Sequence, residues 1–174
     1  MNLVQCVADL CNTIRFQEDT VIKTPYLLIF TLDEQQYALR LDAVQRIVRA
    51  AAITPLPKAP EIVLGILDIQ GEVIPVIDVR KRFRQPERDI RPADQFVIAR
   101  ARSLTVALVV DAAQCVVEEQ GLGLIATDDI VSGMEYVAGV TRTEDGLVLI
   151  HDLDKFLSLG EERFLLDALE HGQA

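Results

Sequence analysis

The side chains that carry most acid–base and nucleophilic chemistry are scarce in this chain of 174 residues. It has two histidines, His151 and His171, and no serine or cysteine nucleophile motif accompanies either of them. A small hydrolase would have to use His151 together with the adjacent Asp152. Because nothing in the sequence supplies a nucleophile or oxyanion donors beside this pair, we interpret His151 as a half-buried strand histidine. We predict no catalytic residues and no enzymatic activity.

Asp78 and Asp152 each follow an apolar run and resemble, at first sight, a pair of catalytic carboxylates. They occupy equivalent positions of an internal repeat, which favours one structural role used twice. We predict that each carboxylate caps the turn after its strand. Asp128 and Asp129 lack the ligand spacing of a calcium loop.

Cofactor and metal motifs are also missing from the sequence. Gly121 and Gly123 form too short a glycine pattern to cradle a phosphate group. The three cysteines, Cys6, Cys11 and Cys115, lack the spacing of a zinc site and are predicted to be reduced thiols. We therefore expect no cofactor, no metal ion and no disulfide.

Charge and hydropathy argue against two further classes of protein. The net charge of −10 repels a nucleic-acid backbone, and the short basic strip at residues 80–84 has no aromatic neighbours for base stacking. No apolar run is long enough to cross a bilayer, and the first residues lack a basic signal region. We expect a cytoplasmic protein that binds no nucleic acid and does not insert directly into the membrane.

An internal repeat organises the chain. Residues 61–81 recur at residues 135–155 with an offset of 74, and residues 27–48 recur at residues 96–117 with an offset of 69. The first match aligns Gly65 with Gly139, and the second aligns Asp42 with Asp111. Two similar offsets in the same order predict two related β units of roughly 70 residues each.

Short apolar runs between turn formers predict strands through most of the chain. Residues 26–41 read as a hairpin, and the almost uninterrupted run Glu72–Val79 reads as a strand covered on both faces. Pro75 in that run cannot donate to a ladder, which predicts an edge or bulged position in a curled sheet. Residues 41–50 fit a helix as well as a strand, because their apolar residues also satisfy helical spacing.

The remaining segments connect or extend these units. Residues 50–60 carry three prolines and predict an extended loop, and residues 84–94 form a charged link between the repeats. Helices are predicted at both ends and from Asp152 onwards. The expected division is an N-terminal helical extension (1–22), a central domain (23–159) and a C-terminal helix and tail (160–174). Within the central domain we expect a first barrel at about 25–83 and a second at about 95–150.

Residues 65–80, GILDIQGEVIPVIDVR, resemble the signature of the CheW-like domains of bacterial chemosensory adaptors. Residues 26–48 resemble the opening hairpin of that family and the element after it, and residues 136–157 resemble its closing segment. The resemblance spans residues 25–159. Its structural turn and signature positions are Gly65, Gly71, Pro75, Asp78 and Arg80.

This resemblance implies a mainly β fold of two intertwined SH3-like five-stranded barrels with helices at the ends. It also implies a non-catalytic scaffold that links the cytoplasmic tip of a methyl-accepting chemoreceptor to a CheA-type histidine kinase. Such a protein is cytoplasmic and associates with the membrane through receptor arrays. The alternative is a CheW-like regulatory module that works without a receptor, in pilus motility or surface sensing. The groove expected to receive the receptor lies near Val44, Arg46, Val48, Ile69 and Gln70.

Two positions in this groove depart from the family pattern. Arg46 stands where the family usually has glutamate, and Gln70 stands where it usually has arginine. In the family these positions form an ion pair beside the receptor-binding region. We predict that Arg46 and Gln70 still meet, through a hydrogen bond, and present more positive charge to the partner. Independent drift on an exposed surface is the competing explanation, because exposed ion pairs contribute only about 0–1 kcal/mol.

Overall fold

A computed structural model of the chain describes residues 26–102, 104–119, 136–143 and 146–171. The described part is mainly β, as predicted. Its strands are β1 (Tyr26–Leu32), β2 (Gln35–Arg40), β3 (Val44–Arg49), β4 (Val63–Ile69), β5 (Glu72–Ile77), β6 (Gln95–Ala101), β7 (Leu104–Val110), β8 (Ala112–Glu118), β9 (Val137–Thr143) and β10 (Gly146–His151). Its helices are α1 (Val79–Arg82) and α2 (Leu159–His171), with 3-10 turns at Leu41–Ala43 and Leu153–Lys155. The expected helix at 1–22, Cys6, Cys11, Gly121, Gly123, Asp128 and Asp129 lie outside the described residues.

The strands form two five-stranded sheets of identical design. Sheet 1 has the order β8-β1-β2-β10-β9, and sheet 2 has the order β3-β6-β7-β5-β4. Replacing each of β1–β5 by the strand five places later, and each of β6–β10 by the strand five places earlier, converts one order into the other. This correspondence confirms the duplication inferred from the repeat.

The register of strand pairing is also the same in the two repeats, including the positions of the bulges. One extra residue, Leu64, interrupts the β4–β5 ladder, and Ala138 interrupts the β9–β10 ladder 74 residues later. Gln45 interrupts the β3–β6 ladder, and Gln114 interrupts the β1–β8 ladder 69 residues later. Bulges bend a strand and increase its twist, so both copies of the unit bend at the same points.

Each sheet combines strands from both repeats. The hairpin β1–β2 pairs with β8 and β10 of the second repeat, and the hairpin β6–β7 pairs with β3 and β5 of the first. Sheet membership therefore does not follow the expected division into a barrel at about 25–83 and another at about 95–150. Each repeat instead contributes its first hairpin to the sheet of the other repeat.

Both faces of each sheet are covered, which explains the nearly continuous apolar runs in the sequence. The central cluster lies between the sheets and includes Phe30 of sheet 1 and Leu108 of sheet 2. A second apolar cluster, the inner cluster of sheet 2, covers the opposite face with Phe96 and Ile74. The corresponding cluster of sheet 1 contains Ile29 and neighbouring aliphatic side chains.

Pro75 does not lie on an edge strand, because β5 is hydrogen-bonded to both β4 and β7. Its partner in the β4 ladder is Ile66, whose N–H and C=O groups both bond to Thr54 on the far side. The Pro75 nitrogen therefore faces β7, where pairing starts only at Val76. The missing N–H is tolerated at this point because no ladder bond is required there.

The helical predictions near the C-terminus need one correction. The helix expected from Asp152 is a single 3-10 turn, and the α-helix begins at Leu159. Ser158 and Glu161 form a reciprocal capping box at its start: Ser158 N–H donates to Glu161 Oε2, and Glu161 N–H donates to Ser158 Oγ. Within the described residues, no helix combines the length and the apolar character that crossing a bilayer requires.

Candidate partner-binding site

The residues expected at the groove lie where the two edge strands of sheet 2 approach each other. We call this region the β3–β4 seam; it comprises Arg46 and Val48 on β3 and Ile69 and Gln70 at the end of β4. Arg46 Nη1 donates a hydrogen bond to Gln70 Oε1 at 3.4 Å, which confirms the predicted contact. The bond is long for a nitrogen–oxygen pair and is exposed, so it contributes little stability by itself.

A tight turn fixes the position of Gln70. Gln70 and Gly71 connect β4 to β5 with φ values of 59° and 88°, the combination typical of two-residue hairpin turns. Asp68 Oδ1 accepts a hydrogen bond from the Gly71 N–H at 2.9 Å. Gly71 is therefore a turn glycine, as predicted.

Gly65 closes the other end of the seam and is not in a turn. It lies inside β4 with a φ of 149°, and a Cβ atom there would lie 2.2 Å from the carbonyl oxygen of Thr54. This close approach lets Thr54 and Ile66 exchange backbone hydrogen bonds of 2.9 and 2.8 Å. The isolated bridge joins the loop after β3 to β4, and the Arg46–Gln70 contact joins β3 to the end of β4.

The apolar residues of the seam differ in accessibility. Val48 and Ile69 are half-buried and pack against the inner cluster of sheet 2. Val44 is only 5% exposed and belongs to the central cluster. Val44 therefore anchors β3 to the central cluster, and its side chain offers no accessible surface to a partner.

Asp78 and Asp152 have the capping role that the repeat predicted. Asp78 Oδ1 accepts from the backbone N–H groups of Arg80 and Lys81, and Asp152 Oδ1 accepts from the N–H of Asp154. The backbone bonds are equivalent as well, because the Asp78 N–H donates to the Ile62 carbonyl and the Asp152 N–H donates to the Tyr136 carbonyl. Both aspartates are structural caps in this geometry.

Arg80 is the centre of a buried charge network that ties the two sheets together. Its guanidinium donates to Asp33 at the β1–β2 turn and to Asp111 between β7 and β8. Arg88 of the inter-repeat link donates to Asp111 and to Asp94. Only 7% of the Arg80 side chain is exposed, so the pairing offsets the cost of burying its charge.

The network lowers the pKa of two of its carboxylates, Asp33 and Asp94. The hydrogen bond from Arg80 lowers the pKa of Asp33. Burial by itself would raise the pKa of Asp94, but hydrogen bonds from Arg88 and from the Arg91 N–H outweigh it and leave that pKa lowered. These carboxylates are held ionised as partners of arginine.

The sequence did not reveal this network, because Asp33, Arg80, Arg88 and Asp111 come from four separate segments. The repeat aligns Asp111 with Asp42 but does not indicate that Asp111 pairs with an arginine. The charge inversion between the copies hid the pattern further: the positions equivalent to Asp33 and Arg80 hold Arg102 and Asp154, which also meet, through the Arg102 N–H and Asp154 Oδ1 at 2.7 Å.

His151 is fully buried, at 2% exposure, and not half-buried as expected. Its ring stacks on Phe83 with centroids 4.1 Å apart and lies near Tyr37 and Tyr136. Nδ1 faces the Tyr136 carbonyl oxygen at 3.3 Å, which assigns the proton of the neutral ring to Nδ1. Burial lowers its pKa to about 4.

This geometry does not assemble a hydrolase centre from His151 and Asp152. The Asp152 carboxylate accepts from the Asp154 N–H and lies 3.6 Å from Lys155 Nζ, while the imidazole lies among aromatic rings. Within the described residues, no group of three or more histidine, cysteine, aspartate or glutamate side chains is arranged to hold a metal ion.

Comparison with known proteins agrees with this geometry. A family model described as CheW-like domain matches residues 26–161. The chain is 28% identical over 141 residues to the chemotaxis protein CheW of Treponema pallidum (strain Nichols), covering 78% of this chain and 83% of that protein. It is also 28% identical over 139 residues to the chemotaxis protein CheW of Rhizobium meliloti (strain 1021), covering 79% and 89%.

A solved structure shows the same fold. The crystal structure of scaffolding protein TtCheW from Thermoanaerobacter tengcongensis superposes with a TM-score of 0.68 at 25% sequence identity. The match covers 84% of this chain and 96% of that one. Both sheets therefore have counterparts in that protein.

Proposed function

This chain belongs to the CheW-like domain family, and from that membership we propose that it is a non-catalytic coupling protein. Its partners are the cytoplasmic tip of a methyl-accepting chemoreceptor and a CheA-type histidine kinase. The observation that carries the proposal is the extent of the match, because residues 26–161 include both sheets and the seam. In this role the protein is held at the membrane by its receptor.

We propose that the receptor binds at the β3–β4 seam. The seam offers what a helical hairpin requires of a shallow groove: an unpaired strand edge, half-buried apolar side chains at Val48 and Ile69, and polar side chains at Arg46 and Gln70. Gly65, Gly71 and Pro75 shape this surface, and Asp78 and Arg80 hold the elements behind it. The kinase binds elsewhere on the two sheets.

The barrel architecture is part of the same proposal. The sheets curl towards SH3-like five-stranded barrels around their inner clusters. The support is the apolar cluster on the face of each sheet that points away from the central cluster and, in sheet 2, the Thr54–Ile66 bridge between the loop after β3 and β4. A curled sheet also explains why Arg46 and Gln70, on opposite edges of sheet 2, are within hydrogen-bond reach.

The seam is tested by binding measurements with a soluble receptor-tip fragment and a CheA-type kinase of the same organism. Ile69→Glu places a charge in the apolar part of the seam and should weaken tip binding at least tenfold, while kinase binding stays unchanged. Leu147→Glu is the matched control, because Leu147 is a 50% exposed aliphatic residue of sheet 1. It should leave tip binding within about twofold of the parent value, as exposed substitutions away from a contact do.

Three outcomes contradict the proposal in different ways. Equal loss in both variants would place the receptor elsewhere. Kinase binding without any receptor binding would support the receptor-independent module. Binding of neither protein would remove the coupling function altogether.

A further inference from the structure

Arg46 differs from every other shielded arginine in the described part of the chain. Four described arginines are buried or half-buried: Arg46, Arg80, Arg82 and Arg88. Arg80 pairs with Asp33 and Asp111, Arg82 with Glu161, and Arg88 with Asp94 and Asp111. Arg46 has no described carboxylate within the 4.0 Å of an ion pair, and its hydrogen-bond partner is the neutral amide of Gln70.

This arrangement leaves the Arg46 charge incompletely compensated. A guanidinium has five N–H donors, and the described contacts engage one of them at 3.4 Å. The Nε and Nη2 nitrogens of Arg46 are not among the buried unpaired atoms, so water solvates them in the free protein and a carboxylate of a partner can take the place of that water. The chain carries 27 acidic residues and a net charge of −10, yet none of the described carboxylates lies against this cation.

The position of Arg46 directs the charge into the seam. Val48 packs against the inner cluster and Ile47 against the central cluster, so these neighbours point to opposite faces of β3. Alternation along a strand places Arg46 on the face of Val48, and Arg49 on the face of Ile47. The described seam therefore combines one unpaired cation with half-buried aliphatic groups at Val48 and Ile69.

We propose that the occupant of the β3–β4 seam presents a carboxylate to Arg46, so that an intermolecular ion pair completes the site. The occupant is a receptor-tip helix that carries glutamate or aspartate beside apolar residues. This assignment of partner chemistry rests on the proposed receptor role of the seam. A tip with a basic residue at this point is rejected, because like charges meeting at an interface disfavour the wrong partner.

The test is a charge exchange between the full-length chain and a soluble receptor-tip fragment of the same organism. Each glutamate and aspartate of the tip is first replaced by the corresponding amide, and binding to the parent chain is measured by calorimetry. One replacement should weaken binding at least fivefold. Arg46→Glu should weaken binding of the parent tip at least tenfold, and arginine at the identified tip position should restore it.

Arg49→Glu is the matched control, because it reverses the same charge on the same strand but on the other face. It should change tip affinity less than threefold, and Arg46→Glu should leave kinase affinity unchanged. Parent affinity should fall as salt rises from 50 to 300 mM, and Arg46→Gln should reduce this dependence. Thermal unfolding of each variant confirms that it is folded.

The outcomes separate this inference from the function on which it rests. Tip binding that is insensitive to Arg46→Glu, or that no exchanged pair restores, overturns the acidic-partner assignment and leaves the receptor role intact. A loss of kinase binding in place of tip binding assigns Arg46 to another interface and also overturns it. Absence of tip binding by the parent chain overturns the receptor role and the inference together.

Discussion

At the scale of single residues, His151 shows how burial converts a potential catalytic group into a structural one. Its imidazole fills a space among Tyr37, Phe83 and Tyr136, and its Nδ1–H is a second donor to the Tyr136 carbonyl, beside the Asp152 N–H. A charged ring would lose hydration that these neighbours do not replace. The cost of that charge is the reason for the lowered pKa.

The lowered pKa predicts a loss of stability in mild acid. Burial lowers the pKa of His151 from 6.5 to about 4, so the unfolded chain binds a proton more readily than the folded chain between these values. Stability is therefore complete above pH 6.5 and falls as the pH is lowered towards 4, by about 3 kcal/mol in total. Urea unfolding of the parent and of His151→Phe between pH 7.5 and 4.5 measures the difference.

The variant should be slightly less stable at neutral pH, because the Tyr136 carbonyl loses the His151 N–H and keeps only the Asp152 N–H as a donor. Its stability should also depend less steeply on pH. Asp33 and Asp94, whose pKa values are lowered, are present in both the parent and His151→Phe and do not change the difference between them. Their contribution is present above the ordinary aspartate pKa and is lost below it, outside this window. Parallel pH profiles for parent and variant would contradict the account of His151.

The structural role of a single residue could be predicted from the sequence where two equivalent positions of the repeat share it. Asp78 and Asp152 were assigned correctly because two equivalent positions imply a shared local role. Gly65 was assigned to a turn, since glycine in a sequence does not distinguish a turn from the close approach of a second backbone. That approach comes from Thr54, which reaches Gly65 only after the proline-containing loop has folded back.

At the scale of elements, the Thr54–Ile66 bridge ties the loop after β3 to the edge of β4. Gly65→Ala should open it, because the new Cβ would lie 2.2 Å from the Thr54 oxygen and 2.7 Å from Ile53 Cγ2. The positive φ adds backbone strain. We expect a loss of more than about 2 kcal/mol in the free energy of unfolding, measured by denaturant titration.

The control for this substitution is Gly160→Ala, in the first turn of α2. Nothing lies within 4 Å of a Cβ added at Gly160, and alanine is a better helix former than glycine. Its stability should be equal to or above that of the parent. Equal effects of the two substitutions would show that the bridge does not hold the loop after β3 against β4.

The ambiguity of residues 41–50 also has an explanation at this scale. The segment begins with the 3-10 turn Leu41–Ala43 and continues as β3 after Val44, with one bulged residue. Ile47 and Val48 are adjacent and both pack on apolar clusters, because each face of the strand is covered. A strand buried on both faces loses the alternation that distinguishes it from a helix.

At the scale of the whole molecule, the exchange of hairpins makes the two sheets interdependent. Neither sheet can form from one repeat, since β1–β2 and β6–β7 each complete the sheet of the other half. The Arg80 network fastens the exchanged hairpin, because it joins Asp33 at the β1–β2 turn to α1 behind sheet 2. The repeat in the sequence predicted two related units, but the exchange requires the pairing of strands far apart in the chain.

This interdependence suits a protein that joins two partners. The two sheets share one central cluster, so surfaces on either sheet are held in a fixed relation by the core between them. Two weak contacts on such a body reinforce each other when both partners are arrayed at a membrane. We propose that the molecule bridges a receptor and a kinase, and that binding to one partner alone is not sufficient.

The most direct measurement of that claim is co-sedimentation of a CheA-type kinase with membranes that contain a chemoreceptor of the same organism, with and without this chain. We expect the kinase to pellet with the membranes in proportion to the chain added. Ile69→Glu should abolish this effect while the variant still binds the kinase in solution. A kinase that pellets to the same extent without the chain, or that stays in the supernatant at saturating chain, would contradict it.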